Sequence, residues 1–289
     1  MNRWVLGARP RTLPASVVPV VVGTAAAVGA SPTGIIWWRA GAALVVSVAI
    51  QVATNYVNDY ADAARGSDRH RVGPTRLVAS GLATAGEVKQ AALAAGGVTV
   101  AAGLALAAVV GPELVVVGAA CLAAGFFYTA GPRPYGYVGL GEVFVFVFFG
   151  VVATAGSAYV QLERLTLLAV GASVPVGLLA TALLVVNNLR DIPSDAAAGK
   201  RTLAVHAGDP VTRTLFVALV AGAYFALPVL ALARPAALLA LLSAPLALRP
   251  VRAVVREERG SGLVPVLIAT GQVQLGFGVL LAVGLALSG

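Results

Sequence analysis

Long apolar stretches separated by short polar segments run through the whole 289-residue chain. Nine of them predict transmembrane helices, at residues 13–30, 40–57, 90–110, 113–130, 139–159, 166–186, 211–232, 235–250 and 263–287. A helix needs about 20 mostly apolar residues to cross a hydrocarbon core about 30 Å thick. The pattern therefore predicts an all-α, polytopic membrane protein, with nine transmembrane helices bundled in a single domain over residues 1–289.

Composition agrees with a membrane setting. Of all residues, 59% are hydrophobic and 11% are charged, and the mean hydropathy is +0.90, values typical of helical integral membrane proteins. The single cysteine, Cys121, lies within the fourth apolar stretch and excludes both a disulfide framework and a cysteine-based metal site. Prolines at 10, 14 and 19 crowd the start of the first stretch, which favours a retained helix over a cleaved signal peptide.

The distribution of positive charge predicts the orientation. With nine spans and a cytoplasmic N-terminus, 17 of the 20 lysines and arginines fall in cytoplasmic segments, the side on which basic residues are retained. Only Arg39, Arg164 and Arg234 fall on the opposite side. We therefore expect a multi-pass protein of the cytoplasmic membrane. The net charge of +8 then indicates contact with anionic membrane lipids and not with nucleic acid.

Two aspartate clusters carry the candidate chemistry. Asn58-Asp59-Tyr60-Ala61-Asp62 is followed by Asp68, and Asn187-Asn188-Leu189-Arg190-Asp191 is followed by Asp195 and by Gly199-Lys200-Arg201-Thr202. These clusters contain five of the six aspartates in the chain. Grouped carboxylates repel one another unless a cation joins them, and a divalent cation such as Mg²⁺ serves this purpose in proteins. Solvated loops are the alternative interpretation.

Helical spacing brings the polar residues of each cluster to one face. Asn55, Asn58, Asp59 and Asp62 follow i, i+3, i+4, i+7 spacing, and Asn188, Asp191 and Asp195 repeat the arrangement. Pro193 is expected to bend or end the second helix. The candidate metal ligands are Asn58, Asp59, Asp62, Asp68, Asp191 and Asp195. The candidate ligands for the phosphate oxygens of an accompanying anion are Arg65, Arg76, Lys200 and Arg201.

A weak internal repeat accompanies the two clusters. Spans two and six each end in asparagines, an aspartate cluster and a basic loop. This predicts two related four-helix halves, each contributing one metal-binding helix end, plus a ninth helix. Both helix ends face the cytoplasm in the predicted orientation, so the loops that follow them would form a cytoplasmic cap over an active site.

The paired motifs resemble those of a known family. Asn58-Asp59-x-x-Asp62 with Asp191-x-x-x-Asp195, at the cytoplasmic ends of the second and sixth of nine spans, resembles the UbiA superfamily of intramembrane prenyltransferases. Further matching pieces are Ala8 to Leu13, Gly73 to Leu77, Tyr128 to Tyr137 with Gly141-Glu142, and Gly199 to Val205. Gly66 stands where the broader superfamily has a third aspartate, and Asp68 is the candidate instead. In the position of this aspartate the chain resembles the branch of the superfamily that prenylates 1,4-dihydroxy-2-naphthoate in menaquinone synthesis.

The resemblance implies a reaction. Mg²⁺ would bind the diphosphate of a polyprenyl diphosphate, the allylic bond would ionise, and the ring of 1,4-dihydroxy-2-naphthoate would be prenylated with loss of carbon dioxide to give demethylmenaquinone. A bacterial cytoplasmic membrane is then expected. The implied catalytic residues are Asp62, Asp191, Asp195 and Lys200, and the implied diphosphate-binding residues are Arg65, Arg76, Tyr128, Arg133, Lys200 and Arg201. Residues that contact the acceptor ring are not assigned.

Several alternatives stay open at the level of sequence. The acceptor is alternatively another aromatic ring such as 4-hydroxybenzoate or homogentisate, and an ion-coupled transporter is a candidate from a different class. For Tyr128 and for Arg133, anchoring at the membrane interface is the alternative to diphosphate binding. Glu142 has either a functional role or the role of a helix N-terminal cap, of which the cap is preferred. The phenylalanines of the fifth span, at 144, 146, 148 and 149, line a prenyl groove or simply pack.

Overall fold

The computed structural model describes residues 2–31, 33–66 and 75–289, and every regular element within these ranges is helical. The elements are α1 (Arg3–Ala8), α2 (Pro14–Ala26), α3 (Trp37–Arg65), α4 (Ala85–Val110), α5 (Glu113–Phe127), α6 (Gly141–Leu162), α7 (Leu167–Ala197), α8 (Leu203–Ala231), α9 (Pro235–Val255) and α10 (Gly260–Leu287). The predicted all-α class is confirmed for the described residues.

Seven helices of the described chain, α3, α4 and α6 to α10, are long and apolar enough to cross a membrane. The other two predicted spans correspond to α2 and α5, which are shorter, with 13 and 15 residues. At 1.5 Å per residue they extend only about 20 Å, less than the hydrocarbon thickness of about 30 Å. Each of the nine predicted stretches therefore forms a helix, and the count of nine complete spans stays a prediction.

The helices that carry the two aspartate clusters are among the longest in the described chain. α3 has 29 residues and is capped by Gly66, whose left-handed φ of 73° suits glycine. α7 has 31 residues and continues through Pro193 to Ala197, so of the two outcomes expected for this proline, a bend or an end of the helix, the end is wrong. Pro193 removes only one backbone donor within the last turns of a long helix. As a result, Asp191 and Asp195 both lie on helix α7.

α6 and α7 approach each other very closely in the membrane. A Cβ atom placed on Gly150 would lie 2.5 Å from Cα of Gly177, so a side chain at position 150 cannot be accommodated without a shift. Small residues permit such close helix contacts in lipid. Within α6, residues Phe146–Val152 form a π-helical segment, in which each turn contains an additional residue. The contact fixes α6 against α7 at a point about 21 Å along α7 from Asp191.

The N-terminal segment crosses the end of α3 that carries the first aspartate cluster. The phenol of Tyr56 donates a hydrogen bond to the carbonyl of Trp4 over 2.8 Å, and the amide of Asn55 donates to the carbonyl of Ala8 over 3.0 Å. Arg9 ends α1 with a left-handed φ of 53°, a conformation in which only a few per cent of non-glycine residues occur. These hydrogen bonds fix the position of Arg9, which lines a cavity beside α3.

Candidate active site

A long cavity runs from the apolar interior to Asp62 of the first cluster and to the asparagines and Lys200 of the second, whereas Asp191 and Asp195 do not line it. Its volume is about 450 Å³. Polar residues at its wall include Arg9, Asn55, Asn58, Asp62, Arg76, Tyr128, Asn187, Asn188 and Lys200. Apolar residues at its wall include Val20, Ala43, Leu104, Leu106, Leu114, Val115, Phe144, Phe148 and Val160. On α3 the lining extends from Ala43 to Asp62, which is about 28 Å along a helix. The cavity is thus an apolar slot with one polar end.

Asp62 lies at the polar end and is held by two groups from distant parts of the chain. Nη2 of Arg76 donates to its Oδ2 over 3.1 Å, and the phenol of Tyr137 donates to its Oδ1 over 2.8 Å. Both side chains of the ion pair are buried. The structure therefore brings together Asp62 and Arg76, as predicted, and adds Tyr137, which sequence reasoning did not assign to the site.

Asp59 points away from the cavity. Its two carboxylate oxygens accept the backbone N–H groups of Leu77 and Val78 over 2.8 and 3.0 Å, and the residue is 0% exposed. Hydrogen bonds from backbone amides offset part of the cost of burying a carboxylate. In this arrangement Asp59 fastens the segment after the first cluster to α3.

The second cluster is arranged as two close ion pairs. Nε and Nη2 of Arg190 bind the two carboxylate oxygens of Asp191, both over 2.7 Å. Nζ of Lys200 lies 3.7 Å from Oδ1 of Asp195. The backbone N–H of Lys200 also donates to the carbonyl of Asp195 over 2.8 Å. The loop after α7 therefore turns back sharply and returns Lys200 to the cavity wall.

The asparagines of both clusters are fixed by buried neighbours. Oδ1 of Asn58 accepts a hydrogen bond from Oγ1 of Thr129 over 2.6 Å, and Nδ2 of Asn188 donates to Oε1 of Glu142 over 2.9 Å. The other oxygen of Glu142 is buried and has no hydrogen-bond partner among the described residues. Glu142 thus contacts Asn188 from the first turn of α6.

The predicted diphosphate-binding residues lie in three different settings. Arg76, Tyr128 and Lys200 line the cavity. Arg65 does not line it, because its guanidinium donates to the carbonyls of Thr129 and Gly131 in the loop after α5. Arg133 and Arg201 are exposed at the surface. Asp68, the remaining predicted metal ligand, lies outside the described residues.

Aromatic rings form a ladder along one wall. Tyr128 contacts Tyr135 edge to face, Tyr135 stacks on Phe144 with centroids 3.9 Å apart, and Phe144 stacks on Phe148 at 5.9 Å. Phe144, Phe148 and Phe149 line the cavity, whereas Phe146 does not.

Comparison with known proteins decides the family. The family model of the UbiA prenyltransferase family matches residues 16–263. The chain belongs to the UbiA prenyltransferase family. It is 47% identical over 284 residues to a 1,4-dihydroxy-2-naphthoate octaprenyltransferase of Mycobacterium tuberculosis, covering 98% of this chain and 97% of the relative. The family and the seven apolar helices of the described chain together make it an integral membrane protein.

Solved UbiA structures share the fold. A UbiA homologue from Archaeoglobus fulgidus superposes with a TM-score of 0.69 at 14% identity, covering 99% of both chains. The structure of a UbiA homologue from the same organism, bound to GPP and Mg²⁺, superposes with a TM-score of 0.59 at 14% identity, covering 97% of this chain and 99% of the other. At this identity the likeness establishes the UbiA fold alone.

The donor atoms at the polar end of the UbiA cavity fit a shared cation. No group of three or more His, Cys, Asp or Glu within the described ranges is arranged to hold a metal ion by itself. The available donors are carboxylate and amide oxygens, of which those of Asn58, Asp62 and Asn188 line the cavity. Mg²⁺ usually takes one or two carboxylates and completes its shell with water and substrate phosphate oxygens. The site therefore fits a metal–diphosphate complex better than a metal ion alone.

Proposed function

We propose that this protein is an Mg²⁺-dependent prenyltransferase that transfers a polyprenyl group from polyprenyl diphosphate to 1,4-dihydroxy-2-naphthoate. The products are carbon dioxide, diphosphate and the quinol form of demethylmenaquinone, a precursor of menaquinone. The observation that carries the proposal is the cavity, which extends about 28 Å along α3 and joins an apolar slot to a polar end lined by Asp62 and Lys200. Identity of 47% to a naphthoate octaprenyltransferase over nearly the full length supports the choice of acceptor.

The polar end of the cavity would bind the diphosphate. Asn58, Asp62, Asp191 and Asp195 would hold Mg²⁺, with Asp68 as an additional candidate. When bound, the metal supplies electrostatic stabilisation of the charge that develops on the leaving diphosphate. Arg76 and Lys200 line the cavity beside these carboxylates and would bind the remaining phosphate oxygens. We propose that Arg133 and Arg201 only attract the diphosphate toward the cavity, since both are exposed.

The apolar slot would bind the polyprenyl tail and exclude water. Exclusion of water matters because an allylic cation reacts rapidly with it, and a dry site also strengthens the electrostatic interactions at its polar end. The ring of Tyr128 lies at the cavity wall, and an aromatic face stabilises positive charge placed over it. The naphthoate ring would then attack the allylic carbon at the junction between the polar end and the slot.

We further propose nine membrane-crossing helices, with the N-terminus and the active-site cap on the cytoplasmic side of a bacterial membrane. The proposal counts α2 and α5 as spans despite their lengths of 13 and 15 residues, because both are apolar helices within the bundle. The excess of basic residues at the aspartate-cluster side supports this orientation. Cysteine accessibility at Arg133→Cys and Arg164→Cys, in a Cys121→Ala background, tests it directly in intact spheroplasts.

Prenyl transfer by the purified protein in nanodiscs tests the activity. The assay contains a polyprenyl diphosphate, either 1,4-dihydroxy-2-naphthoate or 4-hydroxybenzoate, and either Mg²⁺ or EDTA. We expect prenylated product and carbon dioxide with the naphthoate and Mg²⁺ only. Turnover of 4-hydroxybenzoate alone would agree with prenyl transfer but contradict the proposed acceptor. No product with either ring would overturn the proposed function.

A further inference from the structure

Tyr137 contacts both halves of the candidate site. It lies in the short 3-10 turn Tyr135–Tyr137 between α5 and α6. Its phenol donates to Oδ1 of Asp62 over 2.8 Å, and its carbonyl accepts the backbone N–H of Arg201 over 3.1 Å. The ring centroid lies 5.2 Å from the guanidinium carbon of Arg65 and 5.4 Å from Nζ of Lys200.

These contacts join segments that are far apart in the chain. Asp62 belongs to α3, and Lys200 and Arg201 belong to the loop after α7. A hydrogen bond to a carboxylate is shorter and stronger than one between neutral groups, and so restricts the rotation of the acceptor. Cations above an aromatic face are attracted by the negative potential of the ring. The phenol and the ring face of Tyr137 therefore act on different groups.

We propose that Tyr137 is a positioning residue for the metal–diphosphate site, and this inference rests on the proposed function. The phenol orients the carboxylate of Asp62, so that its oxygens are held at the wall of the cavity where a metal ion would be shared with the diphosphate. The ring face holds Lys200 beside Asp195, at the position from which its ammonium reaches phosphate oxygens. One residue thus sets the distance between the two aspartate clusters.

Two substitutions separate these functions. Tyr137→Phe keeps the ring and its contacts with Arg65 and Lys200 but removes the hydrogen bond to Asp62. Tyr137→Leu removes both. A purely structural function predicts that the variants differ only in thermal stability, whereas the positioning function predicts that metal binding and diphosphate binding change separately.

Tyr159→Phe is the matched control. The phenol of Tyr159 also donates to a carboxylate, Oε1 of Glu113, over 2.6 Å. That pair lies at the opposite end of α6 from Tyr137 and is exposed. The control therefore loses the same chemical group and the same kind of hydrogen bond, outside the candidate site.

The first readout is independent of turnover. Binding of Mn²⁺ to the detergent-solubilised protein, with inorganic pyrophosphate present, is measured from the free-ion signal in electron paramagnetic resonance. For Tyr137→Phe we expect Mn²⁺ to bind about tenfold more weakly, the order of effect of losing one hydrogen bond to a charged group. Tyr159→Phe should bind Mn²⁺ as the wild type does. Equal Mn²⁺ affinity in Tyr137→Phe and wild type would overturn the function assigned to the phenol.

The second readout uses prenyl transfer. We expect Tyr137→Phe to raise the half-saturating Mg²⁺ concentration with little change in KM for the polyprenyl diphosphate, and Tyr137→Leu to raise both. The same KM in the two variants would overturn the function assigned to the ring. If the wild type transfers no prenyl group, the proposed function fails, while the Mn²⁺ comparison still decides whether Tyr137 positions a metal site.

Discussion

Nδ2 of Asn188 donates a hydrogen bond to Oε1 of Glu142 over 2.9 Å, and both residues are buried. A carboxylate only accepts hydrogen bonds, so Glu142 fixes which way the amide of Asn188 is turned. The carbonyl oxygen of Asn188 is thereby directed away from Glu142, on a side chain that lines the cavity. In the proposed function, Glu142 would therefore control the polarity that Asn188 presents to a diphosphate or metal ion.

Replacing Glu142 with glutamine should reduce activity without unfolding the protein. Glutamine both donates and accepts, so the amide of Asn188 is no longer fixed in one orientation. We expect kcat/KM to fall about tenfold, the order of effect of one hydrogen bond that involves a charged group. The measurement is a kinetic assay in nanodiscs with a melting curve of the same preparation. Unchanged kcat/KM would show that the orientation of Asn188 is irrelevant to catalysis.

Asp59 and Asp62 should respond differently to substitution, although both lie on α3. Asp62→Asn removes a charge at the cavity wall, and we expect turnover to fall by about 10²- to 10³-fold, the range for one preorganised electrostatic group. The melting temperature should fall as well, because the buried guanidinium of Arg76 loses the opposite charge of Asp62. Near-normal turnover in folded Asp62→Asn would contradict the metal assignment.

Asp59→Ala leaves the buried N–H groups of Leu77 and Val78 without their acceptor. We expect the free energy of unfolding to fall by about 1–3 kcal/mol for each amide left unsatisfied. The half-saturating Mg²⁺ concentration of the protein that remains folded should match the wild type. Thermal denaturation in detergent and an Mg²⁺ titration measure the two quantities. A large change in the half-saturating Mg²⁺ concentration would indicate that Asp59 is a metal ligand.

Arg65 and Arg76 form a second contrasting pair. Arg76 lines the cavity, so Arg76→Lys should raise KM for the polyprenyl diphosphate, since lysine lacks the planar fork that binds phosphate oxygens. Arg65 is bound to the carbonyls of Thr129 and Gly131, so Arg65→Lys should mainly lower the melting temperature. Initial rates over a range of diphosphate concentrations distinguish them. An equal rise in KM for both variants would indicate that Arg65 moves to the substrate.

The apolar slot should set how long a prenyl chain the protein accepts. Ala43 lines the cavity far from the aspartates, and Ala43→Phe would fill that end. We expect kcat/KM for a long polyprenyl diphosphate to fall by about tenfold or more relative to geranyl diphosphate, typical of a pocket that is sterically blocked. Val45→Phe, on an exposed face of the same helix, is the control. An equal loss of kcat/KM for the long donor and for geranyl diphosphate would indicate that the prenyl tail does not bind at this end of the cavity.

Local periodicity was sufficient to predict the helices and the shared face of Asn58 and Asp62, because both follow from residues three to four positions apart. It was not sufficient for Asp59, which has the same spacing but is satisfied by the backbone of Leu77 and Val78. The contact between Tyr137 and Asp62 joins residues 75 positions apart, and no local pattern encodes it. Pro193 shows the converse, since a strong local signal for a helix end was overridden by a long, well-packed helix.

The π-helical segment Phe146–Val152 holds an additional residue within α6. Deletion of one residue there would return the segment to α-helical pitch, so that Gly156, Ser157 and Val160, which line the cavity, would still face it. Deletion of a residue from the regular α-helix on either side would instead rotate the part beyond it by about 100° and turn these residues out of the slot. The π-helical segment is therefore the part of α6 whose length can change as the gene evolves while the shape of the slot and the aspartate clusters stay intact.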